Sequence, residues 1–134
     1  MQVLLPEGWP RPSGYSNGIA AEGRIVFVAG MVGWDEKGIF QSDELAGQFR
    51  KTLQNTVAVL AEAGARPEHV VRMTWYIVDK QEYLANLPAI GQAYRDVMGK
   101  VYPAMAVVQV LALMENKAKV EIETTAMIPF AGKD

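Results

Sequence analysis

Residues 118–126 alternate strictly between apolar and polar side chains, and no other pattern in the chain constrains the fold as much. Successive side chains of a β-strand point to opposite faces of its sheet. The apolar members share one face of this predicted strand: Ala118, Val120, Ile122 and Ala126. The polar members share the other face: Lys119, Glu121, Glu123 and Thr125.

The preceding run, residues 104–114, is apolar at nearly every position except Gln109. Such a run is typical of a strand that is covered on both faces. A sheet that contains this strand must be partly buried on its second face. Because the helices of a small domain cover only one face of its sheet, we expect self-association to cover the other.

The remaining elements follow from periodicity and from turn-forming residues. Residues 18–21 and 24–29 are short strand-like runs separated by Glu22-Gly23, which predicts a β-hairpin. Apolar residues at helical spacing run from Ser42, the predicted N-cap, to Gly64, where the pattern stops. Residues 70–78 are rich in β-branched and aromatic side chains and predict a further strand.

A second helix is predicted after this strand, with the carboxylate of Asp79 as its cap. Pro88 removes a backbone donor and crowds the preceding turn, so it predicts a kink or a late helix start. The element order β-β-α-β-α-β-β predicts an α+β sandwich, in which two helices pack on one face of a single mixed sheet.

Composition argues against several classes of function but does not identify one. The 134 residues are expected to form one domain, in which residues 1–12, with Pro6, Pro10 and Pro12, form an extended N-terminal arm. A formal charge of −2 and scattered basic residues argue against a nucleic-acid partner, and we also expect no membrane partner. The chain has no cysteine and a single histidine, His69, so we predict no metal site and no cofactor. A cytoplasmic protein is the simplest interpretation.

Several short segments together resemble the RidA/YjgF family of small trimeric proteins. They are Gly14-Tyr15-Ser16, Val28-Ala29-Gly30, residues 60–64, Tyr102-Pro103-Ala104, and Val120-Glu121-Ile122-Glu123 with Ala126. The resemblance implies a chorismate-mutase-like α+β fold, a homotrimer, and small-molecule clefts at the subunit interfaces. It also implies hydrolysis of reactive imines and enamines, of the 2-aminoacrylate type, to 2-oxo acids and ammonia.

One position departs from the family in a way that bears on its chemistry. Family members with this activity have an arginine directly after the Pro-Ala pair, where this chain has Met105. A thioether cannot form the bidentate contact with a carboxylate that arginine forms, and losing such a charge-assisted contact costs roughly 1.5 to 3 kcal/mol. We therefore do not expect the usual 2-aminoacrylate-type substrates. Arg24, Arg72 and Arg95 remain as possible replacements.

Five residues are candidates for the site. Glu121 is the predicted catalytic residue, because a carboxylate can orient a water molecule and accept its proton; the alternative is an ordinary solvated strand residue. Tyr15 and Gly30 are predicted to bind substrate, although Tyr15 is equally explained by packing and Gly30 by a strand bulge. Met31 and Met105 are predicted to line the cleft, but methionine is also common core filler.

Two functions remain open from the sequence. The first is an enzyme that hydrolyses an imine or enamine that either lacks the usual carboxylate position or bears a larger apolar group, which Met105 accommodates. The second is a trimeric ligand-binding protein without turnover.

Overall fold

The computed structural model describes residues 1–131. Its strands are β1 Gln2–Leu4, β2 Gly18–Ala20, β3 Arg24–Met31, β4 Val70–Ile77, β5 Ala104–Gln109 and β6 Val120–Ile128. Its helices are α1 Leu45–Glu62, α2 Lys80–Ala85 and α3 Leu87–Met98, and a short 3₁₀ helix spans Pro67–His69.

Four strands form the main sheet, in the order β3-β6-β4-β5. The pairs β3–β6 and β6–β4 are antiparallel, whereas β4 and β5 run parallel. Helices α2 and α3 make the crossover that two parallel strands require. The predicted mixed sheet and α+β class are therefore confirmed.

One face of the sheet packs against the helices and forms the core. The side chains of Phe49, Leu53 and Leu60 in α1 are fully buried, as are Met73 of β4 and Ile122 of β6. The indole ring of Trp75 in β4 packs against α1 and α3. Its centroid lies 4.9 Å from the ring centroid of Phe49 in α1 and 5.8 Å from that of Tyr94 in α3. The predicted alternation in β6 is confirmed, because Ala118, Val120, Ile122 and Ala126 are all buried.

The predicted hairpin between residues 18–21 and 24–29 does not form. Strand β2 pairs instead with β1 of the N-terminal arm, which makes a separate two-stranded sheet, and β3 pairs with β6. The structure requires glycine at position 23 for strand packing rather than for a hairpin turn. A Cβ at this residue would collide with the backbone carbonyl of Ile128, so Gly23 permits the close approach of β6.

The helices agree with the sequence in outline and differ at their ends. Helix α1 begins at Leu45 with Glu44 as its N-cap, so Ser42 was wrong as the cap; its hydroxyl instead accepts a bond from the backbone N–H of Glu44 at 3.1 Å. The carboxylate of Asp79 caps α2 as predicted, at 3.0 Å from the N–H of Glu82. Pro88 lies in the first turn of α3, where a proline is tolerated, so the second predicted helix is divided at Asn86.

Strand β5 is shorter than the apolar run predicted, because it ends at Gln109. Leu111 and Met114 lie in the connection to β6 and are almost completely exposed within one chain. The other end of this connection is held by Gln48 of α1, whose buried side chain bonds the carbonyl of Lys117 at 2.9 Å and the N–H of Lys119 at 2.7 Å. In the part of the chain that is described, no helix is both long and apolar enough to cross a membrane.

Candidate functional site

Met105 and Glu121 do not meet within one chain. Strand β4 lies between β5 and β6, so the two residues belong to strands that are not neighbours. The register also separates them by face: Met105 pairs with the buried Met73, whereas Glu121 pairs with Tyr76 on the opposite side of the sheet. A single chain therefore does not bring Glu121, the predicted catalytic residue, and Met105, the predicted cleft residue, to one site.

Met105 lines a cavity of about 590 Å³ beside the free edge of β5. Aromatic side chains form much of its wall: Tyr15, Trp75, Tyr83, Tyr94 and Tyr102. Aliphatic and thioether groups complete the apolar surface: Leu87, Ile90, Met105 and Val107. The volume and the lining are typical of sites that bind small organic molecules.

Tyr15 reaches this cavity because the backbone that follows it is fixed to the start of β5. The N–H of Ser16 donates to the carbonyl of Pro103 at 3.0 Å, and the Ser16 hydroxyl donates to the carbonyl of Tyr102 at 2.5 Å. Ser16 is buried, whereas Tyr15 keeps 42% of its surface exposed. The position of Tyr15 at this cavity therefore has a local structural cause.

The polar side-chain groups of the cavity residues are phenols, the indole N–H of Trp75, one serine hydroxyl and one guanidinium. Burial raises the pKa of Tyr83 and of Tyr94, so both phenols are neutral near pH 7. The Tyr94 hydroxyl donates to the carbonyl of Val101 at 2.5 Å. Arg95 is the charged member among the described residues that line this cavity, and no carboxylate or imidazole is among them.

The three arginines left open by the sequence have different surroundings. Arg24 donates to the carbonyl of Ala63 at the end of α1, at 2.6 Å. Arg72 pairs with Ala104 and Thr125 on the sheet face opposite Met105. Of the three, only Arg95 lines the cavity that contains Met105.

Glu121 and Gly30 form a second cluster, on the sheet face that the helices do not cover. The pairing of β3 with β6 is interrupted between Val28 and Met31, and Gly30 lies within this irregularity. A Cβ at Gly30 would collide with the Glu121 carboxylate, so Gly30 allows this side chain to approach an irregular stretch of the strand. Within residues 1–131 the Glu121 carboxylate has no hydrogen-bond or ion-pair partner.

Met31 follows Gly30 directly in the sequence, but its side chain lies on the other face of the sheet from this cluster. It pairs with Ile122 on the helix-covered face, is partly buried and packs against the core. In a single chain, its contacts are therefore those of a core residue.

The family model described as Endoribonuclease L-PSP matches residues 10–128 of this chain, nearly its whole length. The chain belongs to this family, which is the RidA/YjgF family. The match includes Tyr15, Gly30, Met105 and Glu121, and it confirms the resemblance carried by the short sequence segments.

Similar proteins agree with this assignment. A RutC family protein of Pyrococcus abyssi is 32% identical over 93% of this chain and 95% of its own length. The 3-aminoacrylate deaminase RutC of Acinetobacter baylyi is 29% identical over 95% of this chain and 98% of its own length. The solved structure of the Rid-family protein YyfB of Yersinia pestis, described as of unknown function, is 34% identical, covers 95% of this chain and 98% of that one, and gives a TM-score of 0.82.

In this RidA/YjgF chain, two of the residues predicted from the sequence, Tyr15 and Met105, line the cavity, but the sequence did not predict the rest of its lining. Arg95 was predicted only as one of three possible replacements for the missing arginine. One signal was available in the sequence: Gly91 and Arg95 are four residues apart, which places them on the same face of α3. Which surface that face meets depends on how α3 crosses over β5.

Proposed function

We propose that this protein hydrolyses an imine or enamine to a carbonyl compound and ammonia, in clefts between the subunits of a homotrimer. The observation that carries the proposal is that Tyr15, which the family resemblance suggests as a ligand contact, and Met105, at the position of the family's arginine, line one cavity. Family membership supports the reaction class, as does the activity named for the Acinetobacter relative.

The reaction needs only water as a second reactant. Water adds to the carbon of the C=N bond, and a base relays one of its protons to the imine nitrogen, which gives the tetrahedral carbinolamine. The hydroxyl proton of the carbinolamine then passes to nitrogen, and ammonia leaves as the C=O bond forms. An enamine first takes up a proton on its β-carbon and so becomes an imine. Glu121 is the proposed base, and the space left by Gly30 brings its carboxylate close to the backbone.

This assignment requires a second copy of the chain, because Glu121 and the cavity lie on opposite faces of one sheet. The uncovered face offers an apolar surface for association: Phe27 is 73% exposed, Ile25 47% and Val108 42%. In the proposed trimer, a carboxylate of one subunit and a cavity of the next complete a cleft.

We propose that the substrate is larger or more apolar than 2-aminoacrylate. Met105 provides a thioether where active family members are expected to hold a carboxylate with arginine. Trp75 and Val107 are register partners on the same side of the sheet, and with Met105 they give the cavity a continuous apolar wall. Such a wall favours a substrate with an apolar body.

A second candidate function, ligand binding without turnover, is supported by a different observation. The described cavity residues include neither a carboxylate nor an imidazole, so no general base lines the cavity within one chain. A protein with this cavity alone would bind a small molecule and release it unchanged.

Ammonia release separates the two functions. Imines would be generated in situ by an amino-acid oxidase from L-phenylalanine and, for the small substrate, from L-alanine. We expect hydrolysis of the aromatic imine to exceed the uncatalysed rate, and little acceleration for the imine from alanine.

The matched variants are Glu121→Gln and Glu123→Gln, which remove neighbouring carboxylates from the same face. We expect the first to lower the rate about 100-fold or more and the second to have a small effect, since Glu123 is engaged by the Tyr76 hydroxyl at 2.6 Å. Saturable binding with no ammonia release from either imine would establish the second function. If Glu121→Gln hydrolysed the imine as fast as Glu123→Gln, Glu121 would not be the base.

A further inference from the structure

Among residues 1–131, the guanidinium of Arg95 forms no hydrogen bond or ion pair with a carboxylate, although its charge, after the hydrogen bond from Gln92, contributes to the lowered pKa of Asp96. The one hydrogen bond of this guanidinium within the described chain is a long contact, 3.2 Å, to the side-chain amide oxygen of Gln92, which lies on the same helix. The adjacent carboxylate, Asp96, is already held by Arg50 at 2.9 Å and by Gln92 at 2.7 Å. Arg95 therefore retains most of its N–H donors for another acceptor.

Gly91 explains where the guanidinium lies. A Cβ at Gly91 would stand 3.3 Å from the Nη1 atom of Arg95, which is closer than an ordinary van der Waals contact. Both residues line the cavity. Glycine is normally unfavourable inside a helix, and here its missing side chain leaves the surface of α3 open to the guanidinium.

We infer that Arg95 is the carboxylate-binding residue of this protein, in place of an arginine at position 105. The cation is supplied by helix α3 rather than by strand β5, and Met105 adds to the apolar wall instead. The ligand is accordingly a monocarboxylate with an apolar body: its carboxylate forms the bidentate pair with Arg95, and its body packs against Met105 and Trp75. This inference rests on the proposed function for the choice of cavity, but carboxylate binding can be measured without turnover.

The test uses two probes of the same shape, phenylacetate and its neutral amide, phenylacetamide, with titration calorimetry on the intact protein. We expect wild-type protein to bind phenylacetate more tightly than phenylacetamide. Arg95→Gln should weaken phenylacetate binding about tenfold or more and leave phenylacetamide unchanged. Arg95→Lys should fall between wild type and Arg95→Gln, because an ammonium keeps the charge but loses the planar pair of donors.

The matched control is Arg66→Gln, which removes a cation that does not line this cavity. Its ion pair with Glu68 is highly exposed, and such pairs contribute little to stability. We expect this variant to bind both probes as wild type does.

Gly91→Ala separates a binding role of Arg95 from a structural one. The added Cβ should crowd the guanidinium and weaken phenylacetate binding, while the thermal midpoint rises or stays constant because alanine favours the helix. Equal affinity of wild type and Arg95→Gln for phenylacetate would overturn the inference, as would no preference of wild type for the carboxylate.

The inference and the proposed function fail independently. Carboxylate binding through Arg95 without ammonia release from any imine would leave the inference standing and favour the binding-protein function. If Arg95→Gln released ammonia as fast as wild type, the proposed hydrolysis would hold, but Arg95 would not be the carboxylate-binding residue.

Discussion

The Glu121 carboxylate lies directly against the α-carbon of Gly30, in space that any other residue at position 30 would fill with its side chain. This contact lies where the β3–β6 pairing is interrupted, between Val28 and Met31. An acidic group without a hydrogen-bond partner among residues 1–131 is thus held beside an irregular stretch of backbone. This is an arrangement in which a carboxylate remains available to a ligand or a water molecule.

Two glycine substitutions test how this contact is built. Gly30→Ala should change the free energy of unfolding by less than about 1 kcal/mol, because its Cβ meets the movable end of a partly exposed side chain. Gly33→Ala should cost about 1–3 kcal/mol, because its Cβ would stand 2.7 Å from the backbone carbonyl oxygen of Gln48 in α1. Chemical denaturation of both variants measures the difference.

The same pair of variants also reports on function. Displacement of the Glu121 carboxylate by Gly30→Ala should reduce imine hydrolysis even though the fold is retained. Full activity of Gly30→Ala would show that the position of this carboxylate is unimportant. Equal destabilisation by the two variants would show that Gly30 is constrained by backbone rather than by Glu121.

The oligomer proposal is tested at Phe27. This side chain is 73% exposed in a single chain and lies on the uncovered sheet face. We expect wild-type protein to scatter light as a trimer at micromolar concentration, and Phe27→Glu to dissociate it, because a buried unpaired carboxylate is costly. Leu84→Glu, at a 47% exposed position on α2, is the control and should leave the trimer intact. A monomeric wild type would contradict the proposal.

Thr124 should be replaceable with a gain in stability. It is 3% exposed, and its hydroxyl is buried without a hydrogen-bond partner in the described part of the chain. Thr124→Val keeps the shape and removes the unsatisfied group, so we expect the free energy of unfolding to rise by about 1–2 kcal/mol. The control, Thr52→Val, removes a hydroxyl that donates to the Gln48 carbonyl at 2.6 Å, and it should give no gain. Urea titrations that rank the two variants in the opposite order would refute this account.

Tyr94 should make the fold sensitive to alkaline pH. Burial raises its pKa above the value of about 10 expected in the unfolded chain, so folding favours the neutral phenol. That contribution is fully present below pH 10 and is lost as the pH rises towards the folded-state pKa. Tyr94→Phe should be less stable than wild type near pH 7 by about 1 kcal/mol, because it loses the bond to Val101, and the difference should shrink by pH 11. Denaturation midpoints measured from pH 7 to 11 check the trend, and a constant difference would count against it.

Local patterns in the sequence were sufficient for much of the fold. The alternation in β6 and the helical spacing in α1 predicted the apolar faces of these elements, because both depend on the chain's own periodicity. They did not predict that three polar residues of α1 are buried as well: Gln48, Thr52 and Thr56. The Asp79 cap and the break before Pro88 also follow from neighbouring residues. The β1–β2 pairing did not, since it joins residues about 16 positions apart and competes with a local turn signal at Glu22-Gly23.

The sequence likewise predicted some features of the candidate site and not others. The sequence by itself determined that residue 105 is a methionine where a cation was expected, and that Glu121 lies on the polar face of its strand. Only the tertiary structure decided that β4 separates Met105 from Glu121, and that Arg95 lines the same cavity as Met105. The physical reason is that side-chain direction along one strand is fixed by its two-residue period, whereas the order of strands and the path of a crossover helix are fixed by contacts between distant segments.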